Sequence, residues 1–260
     1  MSDPSGPGLL LETAGATATV TISNPAKRNA MTLAMWRELP RLLARLAGDP
    51  SVRVLVLTGA DGTFCAGADI SDLRDAASGP GAAQSAAVEA EEALAAFPKP
   101  ALAAVRGFCV GGGCQLAAAC DLRFAAEGAR FGVTPARLGI VYPASSTRRL
   151  TGLVGPSTAK HLLFSAELID HERALRTGLV DEVLPDDALD KRVEEYAGLL
   201  AARSQLTQAA AKDFTAPEAD PSRVAYWSRQ AADSSDTAEG VAAFLERREP
   251  RFTWSVGARP

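Results

Sequence analysis

Three consecutive glycines, Gly111, Gly112 and Gly113, divide an apolar strand-like run from an Ala-rich helix-like run in AVRGFCVGGGCQLAAACD, residues 104–121. This order commits the chain to a strand, a tight turn and a helix within one short stretch. Glycines there let backbone N–H groups approach a ligand with no side chain in the way, and the following helix presents its positive end to the same spot. The result is an anion or oxyanion site, or else a plain strand-to-helix turn. A triple glycine alone does not separate the two.

A second loop of the same kind lies upstream. VRVLVLTG (52–59) is a β-branched apolar run of strand length, followed by the turn ADG and then Thr63-Phe64-Cys65-Ala66-Gly67-Ala68-Asp69-Ile70. Two small-residue loops, each after a strand, can give one N–H apiece to a developing oxyanion. Such a pair stabilises a thioester enolate or a tetrahedral carbon.

The loop FCAGADI, the segment VRGFCVGGGCQLAAACDLRFAAEGARFGVTPARLGI, the run STRRLTGLVG and the C-terminal AFLERREPRF together resemble the enoyl-CoA hydratase/isomerase (crotonase) superfamily. The resemblance runs from about residue 9 to residue 252. It implies an oxyanion hole made by the N–H groups of Ala68 and Gly112, and an acyl-CoA thioester as partner. It also implies that coenzyme A arrives as part of the substrate, with no covalently bound cofactor and no metal. Lys27 and Arg28 in SNPAKRNAM, with Ala66, Asp69 and Ile70, are the residues it places against CoA. Two adjacent basic residues in a Pro/Asn turn are otherwise simply solvated.

The acid–base pair of a hydratase does not carry over. The resemblance puts one glutamate directly after GGGC and a second twenty residues on. This chain has Gln115 and Pro135 there, with Thr134, Ala136 and Arg137 around the latter. An amide neither takes up nor returns a proton at neutral pH, and proline has no polar side-chain group. Losing such help costs about 10²–10⁴-fold per group. Tyr142 is the best substitute, although an unperturbed phenol titrates near pH 10 and its alternative use is packing before Pro143. Ser145 falls in the same stretch. Asp69 and Asp72 either reach the pocket mouth or cap the helix that starts there.

At 260 residues and 47% hydrophobic content the chain can bury a large core, and a net charge of −4 points to neither nucleic acid nor an anionic membrane. CoA phosphates must then meet a local basic cluster. Cys65, Cys109, Cys114 and Cys120 form no C-x-x-C pair and have no histidine at metal spacing, so they read as small buried hydrophobes in a reducing compartment. No leader or membrane span is visible, and a cytoplasmic location is expected.

The expected fold class is α/β: a crotonase-like ββα spiral core with a helical C-terminal oligomerisation region. Residues 1–8 read as a tail, 9–185 as the spiral core with the CoA-thioester site, and 186–260 as the helical region. Within them, 9–23 reads as two strands meeting near Gly15, and Thr32 caps a helix to about Ala47 that Pro40 should kink. Gly79 to Ala96 reads as a helix, PALAAVRG and DLRFAAE as strands, and Pro156 as a helix start. Asp170 and Gly178 bracket a short helix ahead of the strand LVDEVLP, and Asp236 to Glu239 form a D-x-x-E capping box. The resemblance adds a homotrimer or a hexamer, with Phe244 near a neighbouring site. Two functions remain open: an enzyme that stabilises a thioester enolate, classical hydration being doubtful, or an acyl-CoA-binding protein that has lost the chemistry.

Overall fold

Short apolar runs form the central strands, rich in Val and Leu at Val54–Gly59 and in Ala at Ala101–Val105 and Leu122–Ala126, and after each of the last two a turn carries the chain from one sheet to another. The computed structural model describes residues 6–73, 81–215 and 221–256. β1 (Gly8–Ala14) and β2 (Thr17–Ser23) form an antiparallel hairpin that turns at Gly15. Ala18, Val20 and Ile22 of β2 point into the core at a spacing of two. Thr32 caps α1 (Leu33–Gly48) by accepting the Met35 N–H. The helix passes through Pro40 without interruption, because Trp36 and Leu39 before it and Leu42 and Leu43 after it are all buried in one stripe.

The chain continues through β3 (Val54–Gly59), α2 (Ile70–Leu73), α3 (Ala82–Ala95), β4 (Ala101–Val105), β5 (Phe108–Val110) and α4 (Gly112–Ala119). Next come β6 (Leu122–Ala126), β7 (Arg130–Gly132), α5 (Pro135–Leu138), α6 (Ala144–Ser165), β8 (Ile169–Asp170), α7 (His171–Thr177) and β9 (Glu182–Leu184). The helix expected from Gly79 begins at Ala82, and Gly79 itself lies outside the described residues. β7 and α5 are elements the sequence pattern did not reveal. Inside α6, Gly155 adopts a φ of +73° and Pro156 restarts the helix there.

Strands β1-β2-β3-β4-β6-β9 form one six-stranded sheet, parallel throughout except for β1. Strands β5-β7-β8 form a second. The chain alternates between the two: β4 joins the large sheet and β5 the small one before α4, then β6 and β7 repeat the step before α5. After β3, Cys65 bridges Cys109 of β5 in the same way. This repetition is the ββα spiral.

One face of the large sheet packs Leu55, Leu57, Ala103 and Val105 with Met35, Leu39 and Leu94 of α1 and α3. The opposite face packs Val54, Val56, Leu102, Ala104 and Phe124 against Leu189, Val193 and Ala197 of α8 (Leu189–Ala201). With both faces covered, these strands are apolar on both sides. Beyond α8 lie α9 (Gln205–Phe214), α10 (Pro221–Asp233) and α11 (Asp236–Glu246). Among the described residues no helix is long and apolar enough to cross a membrane.

The capping box expected at Asp236 does not form. Ser235 is the cap position of α11, which puts Asp236 already inside the first turn, and its carboxylate turns outward to the Ser204 hydroxyl at 2.6 Å and to the Thr253 and Trp254 N–H groups at 3.3 Å. Glu239 binds Arg248 and the Arg251 N–H. The two acids fasten the returning chain rather than their own helix end.

Candidate active site

The two glycine-bearing loops lie against each other because the first is hydrogen-bonded to β5, the strand that runs directly into the second. Cys65 N–H donates to Phe108 O at 2.9 Å, and Val110 N–H donates to Cys65 O at 2.9 Å. On its other side the first loop is sewn to Met31, which donates to Gly67 O and accepts from Asp69 N–H, both at 2.8 Å. That pattern skips Ala68. Neither the Ala68 N–H nor the Gly112 N–H, at the N-terminus of α4, has an acceptor among the described residues.

Glycine is required for this contact. A Cβ on Gly113 would stand 2.3 Å from Cys65 O, and a Cβ on Gly112 would meet the Trp36 ring at 3.0 Å, with Ala68 N 3.9 Å away. The two unpaired donors therefore share one spot, beside the buried Trp36 of α1. A carbonyl oxygen reaching it would find two N–H groups and a helix N-terminus.

Around that spot lie the side chains named from the sequence. The Tyr142 hydroxyl and the Thr134 Oγ1 each come within 3.9 Å of where a Cβ on Gly111 would be. Gln115, one turn into α4, is fully buried, and neither amide atom has a partner among the described residues. Pro135 is buried at the first position of α5, so its ring presents only carbon. Burial pushes the Tyr142 phenol well above its ordinary pKa, and the nearby Cys114, Glu91 and Cys65 push the same way. Tyr142 thus stays a protonated phenol at neutral pH, able to donate and to accept a hydrogen bond.

The carboxyl that sequence reasoning missed is Glu91. It lies on α3 among the buried residues Ala86, Ala90 and Leu94, and its Oε2 accepts from the Ser146 hydroxyl at 2.5 Å. Burial raises its pKa to about 7, opposed by the Ser146 hydrogen bond and the Arg149 charge. A signal was present. In AAVEAEEALA, Glu91 shares the Ala87–Leu94 stripe at i+4 and i−3, whereas Glu89 and Glu92 face solvent. Ser146, next to the Ser145 considered above, is completely buried.

At the outer edge, Lys27 Nζ pairs with Asp69 Oδ2 at 2.5 Å and reaches Ser71 Oγ at 3.0 Å. Asp69 Oδ1 accepts from the Ser71 N–H and caps α2. Although burial opposes it, Lys27 and Ser71 hold the Asp69 carboxyl below the ordinary range. The Arg28 guanidinium covers the Phe108 ring at 4.9 Å, and Arg28 O accepts from Ala66 N–H. Ile70 is exposed. The five candidate CoA residues thus converge on one edge of the first loop, with half-exposed Lys27 as its outward cation. The Asp72 side chain lies outside the described residues.

The cysteines are all free and buried. Burial pushes the Cys65 and Cys120 thiols up to about 12, which rules out a thiolate at neutral pH.

The enoyl-CoA hydratase/isomerase family profile matches residues 12–255. The chain belongs to that family. Its relatives include a crotonyl-CoA hydratase of Syntrophomonas wolfei subsp. wolfei, 35% identical over 94% of this chain and 97% of the relative. A 2,3-dehydroadipyl-CoA hydratase of Escherichia coli is also 35% identical, over 90% of this chain and 93% of the relative. Among solved structures, an enoyl-CoA hydratase/carnithine racemase from Magnetospirillum magneticum superposes with a TM-score of 0.87 at 33% identity, covering 94% of this chain and 95% of that one. This member of the hydratase/isomerase family carries Gln115 and Pro135 at the positions where the motif resemblance implies glutamates.

Proposed function

We propose that this protein binds an acyl- or enoyl-CoA thioester, holds its carbonyl oxygen between the Ala68 and Gly112 N–H groups, and so stabilises an enolate, with rapid hydration not its chemistry. The observation that carries this reading is the pair of unpaired main-chain donors on two abutting loops. Each donor aimed at developing negative charge is worth about 3–4 kcal/mol in a water-excluded site. Coenzyme A enters as part of the substrate, with Lys27, Arg28, Ala66, Asp69 and Ile70 along its path, and no resident cofactor or metal takes part.

Gln115 and Pro135 argue against hydration: neither accepts a proton from water. They also favour a second reading, in which the thioester is held and nothing more is done. Exposed Val241, Phe244 and Leu245 on α11 suit burial against further copies of the chain, as a homotrimer or hexamer in the cytoplasm.

The test is calorimetric binding of butyryl-CoA and crotonyl-CoA, followed by hydration assays with Gln115→Glu plus Pro135→Glu alongside. Tight binding with hydration far below the usual enzymatic range of about 1–10³ s⁻¹ is expected, with a gain in the double variant. Absence of thioester binding refutes the reading. Wild-type hydration within that range refutes the assignment of Gln115 and Pro135 as missing acids.

A further inference from the structure

An enolate forms only if some group takes a proton from the acyl chain, and Gln115 and Pro135 cannot. One carboxyl is buried close by. Glu91 is 4% exposed, on the helix that packs against α1 and α4. Its Oε2 is held by Ser146, while no group among the described residues donates to Oε1. Among the described residues it has no ion pair: Arg149, the cation on the facing helix, bonds instead to Glu92 at 2.9 Å. Ser146 follows Tyr142 by four residues, and the Tyr142 hydroxyl is the group that stands beside Gly111 within electrostatic reach of Glu91. Glu91, Ser146, Tyr142 and the unpartnered Gln115 amide thus come from α3, α6, its leading loop and α4, the elements packed around the glycine turn. Isolated buried carboxyls are costly, and clusters of this kind mark functional sites.

We propose that Glu91 holds and returns the proton for this site, exchanging it with an acyl carbon by way of the Tyr142 and Ser146 hydroxyls. This rests on the thioester reading above. In the step, a C–H bond next to the carbonyl, or conjugated with it, breaks. Its electron pair becomes the enolate C=C, the charge settles on the oxygen between the Ala68 and Gly112 N–H groups, and the proton ends on the Glu91 carboxylate. Return to the same carbon is isotope exchange; return two carbons along moves a double bond. Either way the carboxylate is regenerated and nothing is oxidised or added. One carboxyl closes the cycle.

The groups facing Glu91 are Ser146 and Arg149 on α6, Glu92 on its own helix, and Tyr142, which is itself flanked by Cys114 and Cys65. With a pKa of about 7 the carboxyl is divided between its two forms at neutral pH, as uptake and return both require. Since Glu91 acts through neighbouring hydroxyls, it is a positioning and proton-holding residue, so its test needs a readout that a structural role would leave unmoved.

The protein is incubated in D₂O with butyryl-CoA and, separately, with 3-hexenoyl-CoA. Deuterium incorporation and double-bond migration are followed across pH, and butyryl-CoA affinity is measured on the same samples. The wild-type rate should rise as pH climbs through about 7. Glu91→Gln should slow it by about 10²–10⁴-fold with affinity unchanged, and Glu91→Asp should recover part of the rate. Ser146→Ala should slow the exchange, since its hydroxyl is part of the path, and should move the midpoint upward, since the hydrogen bond that lowers the pKa is gone. An unchanged rate in Glu91→Gln, or wild type that binds butyryl-CoA yet neither exchanges nor migrates, overturns the role of Glu91 and leaves thioester binding standing. Wild type that binds no acyl-CoA overturns the thioester reading and this proposal together.

Discussion

Replacing Glu91 by glutamine should make the protein more stable at alkaline pH and leave it nearly unchanged at acid pH. The carboxyl titrates near 7 in the fold against an ordinary 4.5. An acid with a raised folded pKa binds its proton more tightly when folded, so its stabilising contribution is complete below 4.5 and is lost as pH rises through about 7. A difference of about 2.5 units corresponds to about 3 kcal/mol. Solvent does little to discount it, since Glu91 is almost completely enclosed. Glutamine stands in for the protonated carboxyl, keeping its shape and a neutral acceptor for Ser146, and the extra strength of that hydrogen bond to a carboxylate is already contained in the value of about 7. At pH 8 the variant should therefore exceed wild type by about 3 kcal/mol, with the gap closing toward pH 5. Urea unfolding of both proteins at matched concentration from pH 5 to 8 measures this. A difference that does not vary with pH, or a variant less stable than wild type at pH 8, would refute the account of Glu91 as a desolvated, uncompensated carboxyl.

Gly113→Ala places a methyl 2.3 Å from Cys65 O; it should cost about 1–3 kcal/mol by thermal unfolding and abolish butyryl-CoA binding by parting the loops. Lys27→Ala should weaken CoA affinity about tenfold, near 1.4 kcal/mol, and calorimetry at several salt concentrations should find a shallower salt dependence. Phe244→Asp with Leu245→Asp, both on the open face of α11, should shift sedimentation toward the monomer while leaving far-UV circular dichroism unchanged.

Local rules made most of the fold legible. β2 and β3 carried β-branched runs, Thr32 and Asp170 sat where their side chains cap helices, and Gly178 closed α7 in the left-handed region. The two donor loops were legible for the same reason: their glycines must serve a close approach whatever surrounds them. What the sequence hid depends on partners far along the chain. Asp236 resembles a cap until Ser204 and the 253–254 backbone compete for its oxygens. Glu91 resembles one more surface acid of an Ala/Glu helix, and only the arrival of Ser146, fifty-five residues later, marks it out. β7, three residues long, has too little pattern to be read before β5 supplies its ladder.

Because the two unpaired donors are main-chain groups, no replacement of the Ala68 side chain can remove its N–H unless the new residue is proline. Substitution can strip acids from positions 115 and 135, or recruit one from another helix, while the place where charge gathers stays intact. The points of failure are instead the silent neighbours: Gly113, which lets Cys65 come close, and Trp36, whose ring leaves no room at Gly112. Over evolutionary time, such a scaffold can trade one proton carrier for another without rebuilding the seat of the thioester.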